Sequence, residues 1–370
     1  MRSGIRNLIS KLGLVGICLI SLAVTAHVAS MLLWSSSLQR HVLWAKVRPV
    51  VAESGADFLF IGTSRVELGV NPLVFDQEMN LHGLATRSYN MASAGESIVE
   101  IRSVLDRFFS DRPCCVKYVA MEADLAAFGL VHAPSSIRAI DFFDLQNAID
   151  FFKYYLNIQF QSDPVLSTAQ YTENILEAAL LHYSNLGLAN FLIDADRYTM
   201  YDDLYDADNR LRGFRTYDTS LTDEFAHDAG ARARYLEALS YMDPKIDDSL
   251  VNQDLVSDYQ IHLVSEMASL VRSHHANLIL LRLPQVAYWN LSEAFINKLR
   301  SSCNALPPIL DFGYPPENPI LFDAANRFDE DHLNQRGATI FSKLLADRVA
   351  AVVAGGETSI RRPEMSCQDH

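Results

Sequence analysis

A serine that follows a short apolar run is the first residue of this sequence with evident chemistry. Residues 57–65 have the sequence DFLFIGTSR, which places Ser64 two residues after Gly62. The apolar run is typical of a strand buried on both faces, and a glycine permits a sharp turn after it. In parallel α/β sheets ligands bind at the carboxyl ends of the strands, where the Ser64 hydroxyl is expected. The alternative is that Thr63 and Ser64 only cap the next helix.

A base for this hydroxyl is predicted near the other end of the sequence. Asp329 precedes His332 by three residues, and a helix-like run starts at residue 335. A carboxylate at this spacing can hold the imidazole Nδ1, which leaves Nε2 to take a proton from a serine. We therefore predict His332 as the general base and Asp329 as its orienting group. Glu330 and Asp331 lie on the same turn, so the choice of carboxylate stays open.

A glycine loop supplies groups for a developing oxyanion. Residues 89–95 have the sequence YNMASAG, a strand end that runs into Gly95. Backbone N–H groups in such a loop can face the negative oxygen that forms when a serine attacks an ester.

Together, these three stretches resemble the blocks of the SGNH (GDSL-type) hydrolase family. Ser64 follows the first strand, Asn90 to Gly95 follow the second, and Asp329-x-x-His332 lies near the C-terminus, in the family's order and spacing. The resemblance covers residues 55–125 and 255–350. It implies a flavodoxin-like three-layer α/β sandwich with a parallel sheet. It also implies a Ser64–His332–Asp329 triad, with the backbone N–H groups of Ser64 and Gly95 as oxyanion donors.

The sequence departs from the family pattern in two places. The family usually has Gly-Asp-Ser where this chain has Gly-Thr-Ser, and its third block supplies an asparagine that residues 119–124 lack. Asn90 is the nearest side-chain amide and a candidate substitute. Arg65 and Arg282 are candidates for binding an anionic group of the substrate, with a salt bridge to a local acid as the alternative.

Composition excludes some classes of function. The chain has 370 residues, 49% of them apolar and 21% charged, as in globular proteins. Its net charge of −14, without a run of lysine or arginine, argues against nucleic acid as a partner. No Cys/His spacing suggests a metal site, and we predict neither a metal nor a cofactor. The five cysteines form no disulfide framework, although one pairing among Cys114, Cys115, Cys303 and Cys367 stays open.

An apolar N-terminal segment predicts a membrane anchor. Residues 12–34 carry no Asp, Glu, Lys or Arg, and a helix of this length spans roughly 34 Å. Arg2, Arg6 and Lys11 precede it, so residues 1–11 are predicted to be cytoplasmic. The chain is then a single-pass protein of the inner membrane with a periplasmic catalytic region. A signal peptide cleaved near the small residues 26–30 is the alternative.

The rest of the chain is predicted to alternate strands and helices. A connecting segment spans residues 35–56, and the SGNH-like domain spans 57–354. Predicted strands are 57–62, 87–91, 116–121, 277–283 and 309–312, and predicted helices are 97–109, 255–273, 291–303 and 335–354. Residues 125–252 are rich in aromatic and acidic side chains and are predicted as a mostly helical insertion. Its aromatic side chains are predicted to form a core, and the alternative is that the insertion caps the site. Residues 355–370 are predicted to be a disordered tail.

The sequence thus predicts an ester-cleaving or acyl-transferring enzyme. Water as acceptor makes it a serine esterase, and a sugar hydroxyl makes it an O-acyltransferase. Membrane tethering and the family resemblance suggest acyl esters of envelope polysaccharide as substrate. Two alternatives stay open: a catalytically inactive relative that binds glycan or scaffolds a polysaccharide assembly, and a lipid esterase or thioesterase.

Overall fold

The computed structural model of the chain describes residues 21, 25, 55–111, 115–123, 147–150, 152–153, 172–173, 175–177, 212–242, 256–286, 289–356 and 366–367. The chain divides into two compact units. In the first (1–45, 131–155 and 160–203), the described residues are helical. The second (46–130, 156–159 and 204–370) contains every predicted site residue and is described below.

A five-stranded parallel sheet forms the centre of this unit. Its strand order is β2-β1-β3-β4-β6, and every neighbouring pair is parallel. The strands are β1 (Phe58–Ile61), β2 (Ser88–Asn90), β3 (Tyr118–Glu122), β4 (Asn277–Arg282) and β6 (Ile309–Asp311), while β5 (Cys303–Asn304) lies outside this sheet. All five predicted strands are therefore confirmed, and the α/β prediction with them.

Helices connect the strands, as parallel pairing requires. They are α1 (Ser64–Gly69), α2 (Pro72–Leu81), α3 (Ile98–Asp111), α4 (Leu221–His227), α5 (Ala229–Ser240), α6 (Asp258–Ser273), α7 (Trp289–Ser302) and α8 (Gln335–Gly356). The four predicted helices correspond to α3, α6, α7 and α8, with ends that differ by up to three residues. The described part of the predicted insertion contains α4 and α5.

Apolar side chains on alternate positions of β1 fix the sheet between helices. Phe58 and Phe60 lie on one face, where each ring centroid is 4.9 Å from that of Phe75 on α2. Leu59 and Ile61 point to the opposite face and are fully buried. Helices α3 and α6 pack against each other, and α6 packs on β4. This buried sheet gives the loops at its carboxyl edge a rigid base.

Local signals explain where the helices begin. Asn71 caps α2, since its Oδ1 accepts hydrogen bonds from the N–H groups of Leu73 and Val74 at 3.0 and 3.3 Å. Ser257 and Gln260 form a reciprocal capping box at the start of α6. These caps satisfy backbone donors that a helix leaves without partners at its first turn.

The C-terminal residues differ in part from the prediction. Ser366–Cys367 form β7, which pairs antiparallel with β5 in a second, two-stranded sheet, so the prediction of a disordered tail is wrong at these residues. Cys303 is disulfide-bonded and lies opposite Cys367 in the register of this pair.

The predicted membrane anchor, residues 12–34, lies almost wholly outside the described residues. Apart from residues 21 and 25, segments 1–11 and 12–34 lie outside the described residues. Within the described part of the chain, no helix has the length and hydropathy needed to cross a membrane.

Candidate active site

The turn between β1 and α1 places Ser64 at the carboxyl edge of the sheet. Thr63 is the N-cap of α1, and its hydroxyl accepts a hydrogen bond from the Arg65 N–H at 3.4 Å. Thr63 thus has the capping role, while the Ser64 side chain points elsewhere. Gly62 does not have a positive φ, contrary to the expected sharp glycine turn. Glycine is required instead by close approach, because an added Cβ would lie 2.6 Å from Glu122 Oε2.

Ser64, His332 and Asp329 form a continuous hydrogen-bonded chain. Ser64 Oγ lies 2.7 Å from His332 Nε2, although the two residues are 268 positions apart in the sequence. His332 Nδ1 lies 2.9 and 2.8 Å from the two carboxylate oxygens of Asp329. A carboxylate only accepts hydrogen bonds, so Nδ1 carries the proton and Nε2 is the acceptor for the serine hydroxyl. The structure therefore brings the three predicted catalytic residues together.

Asp329 is the carboxylate that orients the histidine. Its Oδ1 also accepts hydrogen bonds from the backbone N–H groups of Asp331 and His332, at 2.8 and 2.7 Å. Burial raises the pKa of the Asp329 carboxyl, but the hydrogen bond and charge of His332, together with these two N–H groups, hold the pKa below its usual value. Asp329 is therefore ionised at neutral pH, as stabilisation of an imidazolium requires.

Asp331 has a different environment although it is adjacent to His332. Its Oδ1 is buried and, within the described part of the chain, accepts no hydrogen bond. Burial raises the pKa of this carboxyl, while the charges of Arg65 and His332 act in the opposite direction. Asp331 therefore does not share the orienting role of Asp329.

A fully buried arginine fixes the loop that carries Asp329 and His332. Arg327 is 0% exposed, and burial lowers the pKa of its guanidinium. Its side chain donates to four backbone carbonyls, those of Pro284, Leu321, Asp329 and Glu330, at 2.6 to 3.2 Å. The Phe328 N–H donates to the His332 carbonyl at 2.9 Å and closes the loop. Asp329 and His332 are thus held by the protein core as well as by each other.

Glu122 clamps the residues on both sides of the nucleophile. It ends β3, and its side chain is 0% exposed. Glu122 Oε2 accepts from the Thr63 N–H at 2.6 Å, and Oε1 accepts from the Thr63 hydroxyl at 3.2 Å. Oε1 also lies 2.6 Å from Arg65 Nη2. Residues 119–124, where the resemblance leads us to expect an asparagine, thus contribute a buried carboxylate beside the nucleophile turn, and a carboxylate cannot donate to an oxyanion.

The predicted backbone oxyanion donors lie in two linked turns. Ser64 is the first residue of α1, so its N–H has no acceptor within that helix. Gly95 has a φ of +70°, in the region that glycine adopts most easily, and it is partly exposed. The Ser93 N–H donates to the Gly62 carbonyl at 3.1 Å, which ties the Gly95 turn to the nucleophile turn.

Asn90 stabilises the backbone behind the nucleophile. Its side chain is buried, and Nδ2 lies 2.8 Å from the Val66 carbonyl and 2.9 Å from the Val70 carbonyl. Its Oδ1 accepts from the Ala92 N–H at 3.1 Å. Because these contacts use both amide hydrogens, the suggestion that Asn90 donates to an oxyanion is wrong. Asn90 instead holds the C-terminal end of α1.

The two predicted substrate-binding arginines are enclosed by the protein. The Arg65 side chain is 3% exposed and pairs with Glu122. The Arg282 side chain is 4% exposed; its Nη1 lies 2.5 Å from Glu293 Oε2 and 3.2 Å from Asp311 Oδ2. The salt-bridge alternative is therefore correct for both side chains, and neither is placed to bind substrate.

One group of side chains among the described residues has the chemistry of metal ligands. Glu78, His82 and Asp347 lie together on α2 and α8. His82 and Asp347 are exposed, and His82 Nε2 already lies 2.7 Å from Asp347 Oδ1. We assign no metal to this surface pair.

Comparisons with known proteins add no assignment to this geometry. No protein-family model matches the chain, and no curated protein matches it significantly.

The sequence reasoning identified the triad but missed two residues that position it. Glu122 had one signal, a lone charge at the end of an apolar strand, which buried strands rarely carry without a partner. Arg327 had no comparable signal, because its four acceptors are backbone carbonyls that the sequence does not distinguish.

Proposed function

We propose that the protein is a serine esterase or O-acyltransferase of the SGNH type, with Ser64 as nucleophile. The observation that carries the proposal is the Ser64–His332–Asp329 chain, in which both links are 2.9 Å or shorter. The parallel sheet supports it, because Ser64 follows the carboxyl end of a central strand. The finer fold assignment, a flavodoxin-like sandwich of this family, belongs to the same proposal.

The geometry supports a two-step mechanism. Ser64 Oγ attacks the carbonyl carbon of an ester while His332 Nε2 takes the hydroxyl proton, and Asp329 stabilises the imidazolium. The backbone N–H groups of Ser64 and Gly95 stabilise the oxyanion. The intermediate collapses to an acyl-Ser64 ester, and the departing alcohol receives the proton from His332. In the second step His332 deprotonates water or a sugar hydroxyl, which attacks the acyl carbon; the bond to Ser64 Oγ then breaks, and Oγ takes the proton back from His332 Nε2.

The substrate and location follow as further parts of the proposal. We propose an inner-membrane protein anchored by residues 12–34, with its catalytic region in the periplasm and with acyl esters of envelope polysaccharide as substrate. The apolar length of this segment and the positive residues before it support the anchor. Protease protection in spheroplasts tests it, because a periplasmic catalytic region is digested without breaking the inner membrane.

A fluorophosphonate probe tests the nucleophile directly. The full chain in detergent should be labelled covalently, and Ser64→Ala and His332→Ala should both abolish labelling. Turnover of p-nitrophenyl acetate should disappear in the same two variants. Retention of labelling in Ser64→Ala would refute the assignment of the nucleophile.

The same experiment also tests the second candidate, in which the protein is catalytically inactive and binds glycan or scaffolds a polysaccharide assembly. Residues 119–124 lack the asparagine that the family's third block supplies to the oxyanion hole, which favours this second candidate. A folded parent protein that neither reacts with the probe nor turns over acetate would support it. Among active proteins, preference for acetate over long-chain esters separates the proposed enzyme from a lipid esterase.

A further inference from the structure

Residues 212–220, here called the strap, start at a turn with positive φ at Arg212 and Gly213 and continue as irregular backbone towards the catalytic loop. Four backbone hydrogen bonds fix the strap and its junction with α4 to both halves of the site. They are Asn90 N–H to Arg212 O (2.9 Å), Arg215 N–H to Glu67 O (3.2 Å), Gln335 N–H to Tyr217 O (3.0 Å) and Leu221 N–H to Arg327 O (2.7 Å). The first residue of the strap is thus bonded to Asn90, which supports α1. Leu221, the residue after the strap, is bonded to Arg327, two residues before Asp329.

An aromatic platform lies where the strap meets that loop. Tyr217 stacks on Phe328, with ring centroids 4.2 Å apart and planes inclined by 17°. Phe328 immediately precedes Asp329, and its N–H donates to the His332 carbonyl. Tyr217 is 40% exposed although one ring face lies against Phe328. An aromatic ring supported by Phe328 is therefore partly exposed to solvent next to the catalytic loop.

A polar cleft adjoins this platform. It has a volume of about 470 Å³ and lies between the strap and the first turn of α8. Within the part of the chain that the structure describes, seven residues line the cleft and six of them are polar or charged; the seven are Asp218, Ser220, Ala325, Asn334, Gln335, Arg336 and Thr339. Asp218 follows Tyr217 directly, and the N–H of Gln335 is bound to the Tyr217 carbonyl. Exposed Asp218 and Arg336 supply an acceptor and a donor of opposite charge.

We propose that Tyr217 and this cleft form a subsite for one pyranose ring of a polysaccharide substrate. A sugar ring has an apolar C–H face that packs on an aromatic ring and an edge of hydroxyls that needs both donors and acceptors. The platform and the cleft provide these two surfaces side by side. The inference rests on the proposed function, since it places the glycan next to the ester that Ser64 attacks.

The same surface fits other ligand classes poorly. A lipid acyl chain needs an apolar channel, whereas Ala325 is the single apolar residue among the described residues that line the cleft. A nucleic acid strand also stacks on aromatic rings, but it requires a positively charged groove. Here one arginine is offset by one aspartate, in a chain of net charge −14.

The test is calorimetric titration of the full-length Ser64→Ala protein with cellohexaose, chitohexaose and hexagalacturonate. A detergent without a sugar headgroup, lauryldimethylamine oxide, avoids competition. At least one hexaose should bind with a Kd of about 1 mM or tighter. Adding Tyr217→Ala should weaken binding about tenfold, while Tyr217→Phe should change it less than about twofold, because the ring face is what stacks. Tyr217→Ala keeps the backbone carbonyl that anchors the strap.

Controls separate a local effect from loss of fold. Tyr241 is another exposed tyrosine of the same unit, and Tyr241→Ala should leave hexaose binding unchanged. If Tyr217→Ala does not fold, Arg336→Met alters the cleft from an exposed position and should also weaken binding. With Ser64 present, Tyr241→Ala should also keep the rate of fluorophosphonate labelling within about twofold of the parent, since it lies outside the subsite.

The outcomes distinguish this proposal from the proposed function. Labelling of Ser64 without hexaose binding, or with binding that Tyr217→Ala leaves intact, would overturn the subsite alone. Hexaose binding that depends on Tyr217, in a protein that the fluorophosphonate probe never labels, would support the subsite and contradict the proposed enzymatic activity. A long-chain p-nitrophenyl ester whose turnover depends on Tyr217, with no hexaose bound, would assign the platform to lipid and overturn the glycan proposal.

Discussion

Replacement of Glu122 by glutamine tests whether a buried charge holds the nucleophile turn. Glutamine has nearly the same shape, and its carbonyl oxygen can still accept from the Thr63 N–H. Its NH₂ group cannot accept from the Thr63 hydroxyl or from Arg65, which lie 3.2 and 2.6 Å from Oε1. The variant therefore removes the ion pair and one hydrogen bond while it keeps the packing.

The size of the effect follows from the burial of this pair. The Glu122 and Arg65 side chains are 0% and 3% exposed, so solvent cannot replace the missing partner. Removal of one member of a buried ion pair costs about 3 to 5 kcal/mol, because the other charge remains uncompensated. Asp331, whose carboxyl interacts with Arg65, offsets part of this loss. We expect the free energy of unfolding to fall by about 3 kcal/mol, the lower end of that range.

The variant should also slow the reaction of the folded protein. Thr63 and Arg65 flank Ser64, so a change in their positions moves the nucleophile relative to His332. Misplacement by about 1 Å costs about 10²-fold in rate. Chemical unfolding followed by circular dichroism gives the first quantity, and the rate of fluorophosphonate labelling well below the melting temperature gives the second.

A matched control makes the result decisive. Glu266 also pairs with an arginine, Arg102, at 3.0 Å, but its side chain is 39% exposed. Exposed pairs contribute about 0 to 1 kcal/mol, so Glu266→Gln should have little effect on stability or labelling. If Glu122→Gln unfolds with the same free energy as Glu266→Gln and labels at the parent rate, the positioning role of Glu122 is refuted.

Three further substitutions near the triad should change stability: Asp331→Asn should raise it, whereas Asp329→Asn and Asn90→Ala should lower it. Burial raises the pKa of Asp331 in the folded protein above its value in the unfolded chain, so ionisation of this carboxyl destabilises the fold as the pH rises through these two values. Asp331→Asn should therefore raise the Tm at pH 7. This increase in Tm should vanish below about pH 4, where the carboxyl is protonated in both states. The pKa of Asp329 is lower in the folded protein than in the unfolded chain, so the ionised carboxylate stabilises the fold above the unfolded pKa, and this stabilisation is lost as the pH falls through the folded pKa. Asp329→Asn should therefore lower the Tm at pH 7, and the difference in Tm should be smaller at acidic pH. The same variant should strongly reduce fluorophosphonate labelling. Asn90→Ala should lower the free energy of unfolding by about 1 to 3 kcal/mol, yet the rate at which the folded fraction is labelled should stay within about threefold of the parent. Complete loss of labelling in a folded variant would instead indicate that Asn90 donates to the oxyanion. Thermal unfolding across pH checks the first two predictions.

The parts of the fold that could be predicted are those encoded by local patterns. The run from Phe58 to Ile61 is continuous and apolar, and a strand buried on both faces needs that composition. The Asp329–His332 spacing is also local, because three residues suffice to bring a carboxylate to Nδ1. The contact from His332 to Ser64 is not local, and the sequence could indicate it only through the resemblance of the separate blocks.

The parts that could not be predicted depend on contacts between distant residues. Arg282 follows four apolar residues of β4, and only the positions of Glu293 and Asp311 decide that it forms salt bridges instead of binding substrate. Asn90 has the residue type of an oxyanion donor, but the carbonyls of Val66 and Val70 use its amide hydrogens. Sequence gives the type of a polar side chain, whereas its role depends on which acceptors the fold brings to it.

The asparagine missing from residues 119–124 bears on the proposed oxyanion hole. Glu122, within this stretch, cannot donate to an oxyanion, and its charge is compensated by Arg65 and directed at Thr63. Loss of one oxyanion donor costs about 10²- to 10³-fold in rate in a serine protease. A hole with the N–H groups of Ser64 and Gly95 alone is therefore expected to be slow towards unactivated esters. Acyl transfer within a bound glycan would tolerate such a rate better than free hydrolysis, because a neighbouring hydroxyl is held at high effective concentration.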